Sequence, residues 1–209
     1  MNTNPKAIRV LCYGDSNTWG DPALGKPRFA ANVRWPGKLQ DLLGPSYEII
    51  EEGLCGRTTD LNDPKEEGRN GKTYLQPCLR THNPIDFFIL LLGINDFKAI
   101  YNRSAEDVAK SIEGLINIVK NLESAPEWKT PKILLISPTL LIETTEKYKG
   151  AADKSKQLGP LLEKVALNNS VPFIDLAKFV EPGSDGAHLT AQGHSKTAEL
   201  VADTIKKNV

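Results

Sequence analysis

Short apolar runs alternate along the chain with stretches in which apolar residues return every three or four positions. The run 85–92 (IDFFILLL) is apolar at successive positions, the pattern of a strand buried on both faces at the centre of a parallel sheet. Residues 7–13 (AIRVLCY), 47–51, 133–137 and 172–176 read as four further strands, the first ending at Gly14 and the second near Gly53. Between them lie helical stripes. Residues 35–43 carry Leu39, Leu42 and Leu43, with Gly44-Pro45 as a stop. Residues 104–122 carry Val108, Ile112, Leu115, Ile116, Val119 and Leu122, and Ser104 with Asp107 makes a capping box in which Asp stands for Glu. Leu158, Leu161, Leu162 and Val165 form another stripe, with Pro160 as a kink or a start. Thr190 caps a last helix to Lys206, whose closing lysines suit the negative helix end. Residues 74–81 predict a helix started imperfectly around Pro77, and 57–71 is a long polar segment.

Five strands alternating with helices predict an α/β fold with a parallel sheet covered by helices on both faces. Chirality rules leave few topologies, and the flavodoxin-like order 2-1-3-4-5 is expected. No repeat, low-complexity tract or composition shift divides the 209 residues, so one domain spanning 1–209 is expected.

Composition narrows the classes of partner. Lys and Arg together number 26 and so do Asp and Glu, so the formal net charge of zero favours neither nucleic acid nor an anionic membrane. The apolar runs are strand-length, well short of the roughly 20 residues a membrane span needs. The polar start, Met1 to Lys6, has no signal-peptide pattern. Cys12, Cys55 and Cys78 are too few and too scattered for a disulfide framework, which makes a reduced, cytoplasmic compartment the expectation.

In open α/β sheets, sites form at the carboxyl ends of the strands. Four polar, glycine-bearing turns fall there: Gly14 to Gly20, Gly53 to Arg57, Gly93 to Asp96, and Asp185 to His188. Asp185 and His188, three apart, can place a carboxylate on one ring nitrogen and leave the other as a base. Ser16 offers a hydroxyl that such a base would activate. Gly56, through its backbone N–H, and Asn95, through its side-chain amide, offer donors for an oxyanion.

These residues carry a resemblance. GDSNT at 14–18, the glycine at 56, GIND at 93–96 and DGAH at 185–188 resemble, in order, the blocks of the SGNH (GDSL-type) hydrolases. The longer stretches GDSNTWG, RFAANVRWPGKL, IIEEGLCGRTT and LLGINDFKA resemble the bacterial arylesterase/acyltransferase branch. The resemblance implies a three-layer α/β/α fold, hydrolysis or transfer of short acyl groups, no metal or cofactor, and a homo-oligomer. It assigns Ser16 as nucleophile, His188 as base and Asp185 as acid. The N–H groups of Ser16 and Gly56 and the Asn95 side chain become the oxyanion hole. Two departures concern substrate choice: Asn17 stands at the usual leucine, and residues 139–149 do not match.

The expected function is therefore a serine esterase acting on small-molecule esters. Alternatives with the same core are a sugar-ester deacetylase and a lysophospholipase or thioesterase. A flavodoxin-like phosphate-binding module is the alternative outside enzymes. Trp19, beside the nucleophile turn, is expected to line the acyl pocket, and Trp35 and Trp128 to pack. Asp15 and Asp96 are expected to brace their loops. Arg34 and Arg57 could hold an anionic substrate or tie loops to carboxylates. His82 and His194 show no partner at metal-ligand spacing, so no metal is assigned. The segment 21–27 offers Ala23 and Leu24 but little other apolar surface for a long acyl tail.

Overall fold

A computed structural model describes residues 3–22, 25–122 and 129–208. Ala23, Leu24 and Trp128 lie outside the described residues. The strands are β1 (Ile8–Gly14), β2 (Tyr47–Gly53), β3 (Phe87–Leu91), β4 (Lys132–Ser137) and β5 (Phe173–Asp175). All pairings are parallel and the order is β2-β1-β3-β4-β5, as the alternation of elements predicts.

The helices are α1 (Ser16–Trp19), α2 (Trp35–Leu43), α3 (Gly71–His82), α4 (Ala105–Lys120), α5 (Ala152–Asn169) and α6 (Ala191–Lys207). Successive side chains of a strand point to opposite faces, so each central strand feeds two cores. Leu11, Tyr13, Phe88, Leu90 and Leu135 pack with α3, α4 and α5. Val10, Cys12, Ile89, Leu134 and Ile136 pack with α2 and α6. The sheet is thus the middle of three layers, with α4 beside α5 on one face and α2 beside α6 on the other. Every residue of β3 is buried, whereas β2, at the edge, is half-buried throughout.

Local signals account for the helix starts. The Ser104–Asp107 capping box is formed in both directions at 3.1 Å. Thr190 Oγ1 accepts from Gly193 N at 3.0 Å. The helix expected over 74–81 begins earlier, at Gly71, because the Asn70 side chain caps it by accepting from Thr73 N. Pro77 sits inside that helix, and α5 begins eight residues before Pro160, so neither proline sets a start.

Candidate active site

β1 ends at Gly14, and the chain turns at once into the single-turn helix α1. A Cβ on Gly14 would fall 2.0 Å from Thr18 Oγ1 and 2.8 Å from the Leu91 carbonyl, so the turn closes only on glycine. Asp15 accepts from Asn17 N at 2.8 Å and is buried. Burial pushes its carboxyl up to about 6, against the pull of the Asn17 N–H. Its side chain occupies the cap of α1, so a carboxylate stands where a phosphate-binding turn would present free donors. Ser16 follows as the first residue of α1, 5% exposed.

The loop after β5 brings a histidine to that serine. His188 Nε2 lies 2.9 Å from Ser16 Oγ, and His188 Nδ1 lies 2.5 Å from Asp185 Oδ2. The other carboxylate oxygen, Oδ1, accepts from the backbone N–H groups of His188 (3.0 Å) and Ala187 (3.2 Å). Partial burial opposes ionisation of Asp185, but these hydrogen bonds outweigh it and hold the carboxyl below its ordinary range. The loop is tight at Gly186, which has φ +78° and whose Cβ would fall 2.1 Å from the Ile142 carbonyl.

Asn17, the departure from the usual leucine, joins the two loops. Its Oδ1 accepts from Leu189 N at 2.8 Å and its Nδ2 donates to the Ala187 carbonyl at 3.3 Å. Both neighbours of His188 are thereby tied to the residue after Ser16. The sequence signal was present, since a polar amide at an apolar position of a buried turn needs partners.

Gly56 and Asn95 face the same cleft as Ser16 and His188, about 490 Å³ in volume. Asn95 sits in the short 3-10 turn Ile94–Phe97 after β3 and is 2% exposed. Its Nδ2 donates to the Arg57 carbonyl at 3.2 Å. Asp96 beside it accepts from Thr59 N at 2.9 Å and from Thr59 Oγ1 at 2.5 Å, and pairs with Arg103 at 3.2 Å. Burial pushes the Asp96 carboxyl up to about 6 despite those partners.

Trp19 departs from expectation. It is not among the residues lining the cleft. Its ring lies under the Arg28 guanidinium, 4.7 Å away, and Arg28 Nε donates to its carbonyl at 2.6 Å. The single turn of α1 carries Ser16 into the cleft and Trp19, three residues on, towards Arg28. The cleft wall comes instead from loops with weaker sequence signals, including Asp21, Arg69, Lys98, Ile100 and Lys147.

The remaining polar candidates have structural partners. Arg57 is buried, stacks on the Tyr13 ring at 4.2 Å and donates to the carbonyls of Gly14 (2.9 Å) and Glu52. Arg34 pairs with Glu51 at 2.6 Å. His194 is fully buried, accepts from Trp35 N at 3.2 Å, and so covers an N–H that the start of α2 would leave open. Burial pushes it down to about 4, leaving it neutral. His82 does have metal-capable neighbours, contrary to the expectation from spacing. Cys78 stands one turn before it on α3 and Glu52 reaches across from β2, with all three ligand atoms within 4.8 Å of one another. These groups already have partners: His82 Nε2 meets Glu52 Oε1 at 2.7 Å, and Arg57 donates to the Glu52 carbonyl. Burial pushes the Cys78 thiol far up, so it packs as a protonated side chain.

Fold and cleft together define a carboxylic ester hydrolase of the SGNH class. Residues 12–196 match the GDSL-like lipase/acylhydrolase family, and the chain belongs to that family. The solved aryl esterase of M. smegmatis is 34% identical, with 97% of this chain and 100% of that chain covered at a TM-score of 0.91. A carbohydrate acetylesterase from Sinorhizobium meliloti is 32% identical, with 97% and 100% covered at 0.90. A carbohydrate acetylesterase family member from the same organism is 36% identical, with 96% and 98% covered at 0.90. No curated protein matches the sequence.

Proposed function

We propose that the protein is a serine esterase that releases short acyl groups through an acyl-enzyme, with Ser16 as nucleophile. The observation that carries this reading is the unbroken chain Ser16 Oγ–His188 Nε2–His188 Nδ1–Asp185 Oδ2, at 2.9 and 2.5 Å. Ser16 Oγ attacks the ester carbonyl carbon while its proton passes to His188 Nε2. The carbonyl oxygen becomes an oxyanion that accepts from the N–H groups of Ser16 and Gly56 and from Asn95 Nδ2. Collapse breaks the carbon–oxygen bond to the alcohol, which leaves with the proton from His188. Water then attacks the acyl-enzyme, gives its proton to His188, and the acid departs as Ser16 regains its hydrogen. Another alcohol in place of that water would give acyl transfer.

Short acyl groups are favoured because the cleft around Ser16 and His188 is lined largely by charged side chains, with Cys55, Ala99 and Ile100 as its apolar contributors. A matching channel would return about 0.8 kcal/mol for each buried CH₂, and among the described lining residues Ile100 is the one large aliphatic side chain placed to supply it. The same lining favours a second reading, cleavage of acetyl from a hydroxyl-rich sugar. Two of the similar structures carry the description carbohydrate acetylesterase, which supports it.

The test is a panel of p-nitrophenyl esters and sugar acetates, read as kcat/KM, with Ser16→Ala as control. kcat/KM should fall beyond about four acyl carbons, because past Ile100 the described cleft wall is mostly charged and returns little for each further CH₂. A maximum at about eight carbons or more would favour the lysophospholipase or thioesterase reading. Wild-type turnover by Ser16→Ala would remove the mechanism altogether.

A further inference from the structure

The segment 139–149 matches no block of the family pattern, yet it touches both halves of the catalytic arrangement. On one side, Ile142 N donates to the Gly186 carbonyl at 2.9 Å and Thr144 Oγ1 to the Asp185 carbonyl at 2.5 Å. On the other, Tyr148 Oη donates to Asn95 Oδ1 at 3.2 Å. The segment is itself pinned to α5, through Leu141 N on Ser155 Oγ at 3.0 Å and Ala152 N on Glu143 Oε1 at 2.9 Å.

Hydrogen-bond chemistry decides what the tyrosine does. The Arg57 carbonyl can only accept, so the amide nitrogen of Asn95 must face it. Asn95 Oδ1 then faces Tyr148, whose hydroxyl must donate. One of the two amide hydrogens is used on Arg57, and one remains for the cleft that Asn95 lines. Tyr148 is 6% exposed, and burial, with the nearby carboxylates of Asp15, Asp185 and Asp96, holds its hydroxyl protonated. The donor is therefore present across the working range of a histidine base.

We infer that Tyr148 is a positioning residue for this esterase: its hydroxyl fixes the Asn95 amide in the one orientation that presents an N–H to the oxyanion. The inference rests on the oxyanion role proposed for Asn95. Without the tyrosine, the Arg57 carbonyl alone holds the amide, which is then freer to turn about its side-chain bonds. A donor aimed before the reaction stabilises the transition state without reorganisation, so the loss should appear in kcat.

The experiment is Tyr148→Phe in the wild-type and Asn95→Ala backgrounds, with p-nitrophenyl acetate as substrate and melting temperature measured alongside. Phenylalanine keeps the buried ring and removes only the oxygen. In the wild-type background kcat should fall about tenfold, equivalent to about 1.4 kcal/mol, with KM within about twofold. In the Asn95→Ala background the same change should cost less than about twofold, because the group it positions is gone. Equal losses in both backgrounds, a loss confined to KM, or a lowered melting temperature with kcat intact would each overturn the inference. Failure of the underlying reading is distinguishable: Asn95→Ala alone would then leave kcat unchanged.

Discussion

The floor and the rim of the cleft are built differently. On the floor, Asp15, Ser16, Asn95 and Asp96 are all 5% exposed or less, and each is hydrogen-bonded in place. Asp15 caps α1, Asn17 grips both neighbours of His188, and Thr59 and Arg103 hold Asp96. On the rim, the Glu146 side chain is 87% exposed and its pairing with Lys149 is an i,i+3 surface contact, of a kind that contributes about 0–1 kcal/mol. Reacting atoms need geometry fixed to fractions of an ångström, which buried, hydrogen-bonded loops supply. Substrate choice needs variety, which exposed side chains supply without disturbing the floor.

The floor should break hardest at the base. His188→Ala should lower kcat by roughly 10⁴ or more, because Ser16 then has no proton acceptor. Asp185→Asn should lose activity by a smaller factor, since its carboxylate orients the ring without touching substrate. Hydrogen bonds hold the Asp185 carboxyl below its ordinary range, so an acid limb in the wild-type pH–rate profile should not report its protonation. Stopped-flow or steady-state profiles of the three proteins check this. Wild-type rates in both variants would dissolve the distinction between floor and rim.

Asn95→Ala comes next. Removing one oxyanion donor should lower kcat by roughly 10²–10³ with a much smaller change in KM. A variant defective only in KM would move Asn95 from oxyanion stabilisation to substrate binding, and so from the floor's role to the rim's.

The same division explains what could be read from the sequence. β3 is apolar at every position and buried at every position, so its place at the centre of a parallel sheet follows from composition alone. The strand-end turns were legible because Gly14 and Gly186 stand where a Cβ would strike backbone or side-chain atoms, and polar residues sit beside them. Trp19 adjoins the nucleophile turn in sequence, but its ring packs against Arg28 at 4.7 Å and is not among the residues lining the cleft, a placement set by the Arg28 loop that no local pattern encodes. The Cys78–His82 pairing with Glu52 was missed because it needs the register of β2 against α3, a long-range relation. Asn17, an amide at an apolar position, announces that it needs partners but not that they are Ala187 and Leu189, about 170 residues away, and no local pattern announces the single hydrogen bond from Tyr148 to Asn95, 53 residues away.

The smallest effects should come from the rim. Lys65 and Ile100 line the cleft and are exposed, Ile100 by 61%. Replacing either with alanine removes no buried contact, so stability should change by no more than about 0.5 kcal/mol. With p-nitrophenyl acetate, kcat/KM should change less than about threefold, because acetyl is too small to use the rim. With a larger acyl or alcohol group, the two variants should separate. Among the described residues Ile100 is the one large aliphatic side chain on the cleft wall, and truncating it removes apolar cover from an apolar substrate group. Each CH₂ that loses its cover costs up to about 0.8 kcal/mol, about fourfold in kcat/KM. Ile100→Ala should therefore lower the ratio of butyrate to acetate turnover, whereas Lys65→Ala, which exposes no apolar substrate surface, should leave it unchanged. Measuring the two ratios on one ester series separates the sides of the comparison: a rim variant that slowed acetate as much as butyrate would be acting on the chemistry, and the boundary between floor and rim would have to be redrawn to include it.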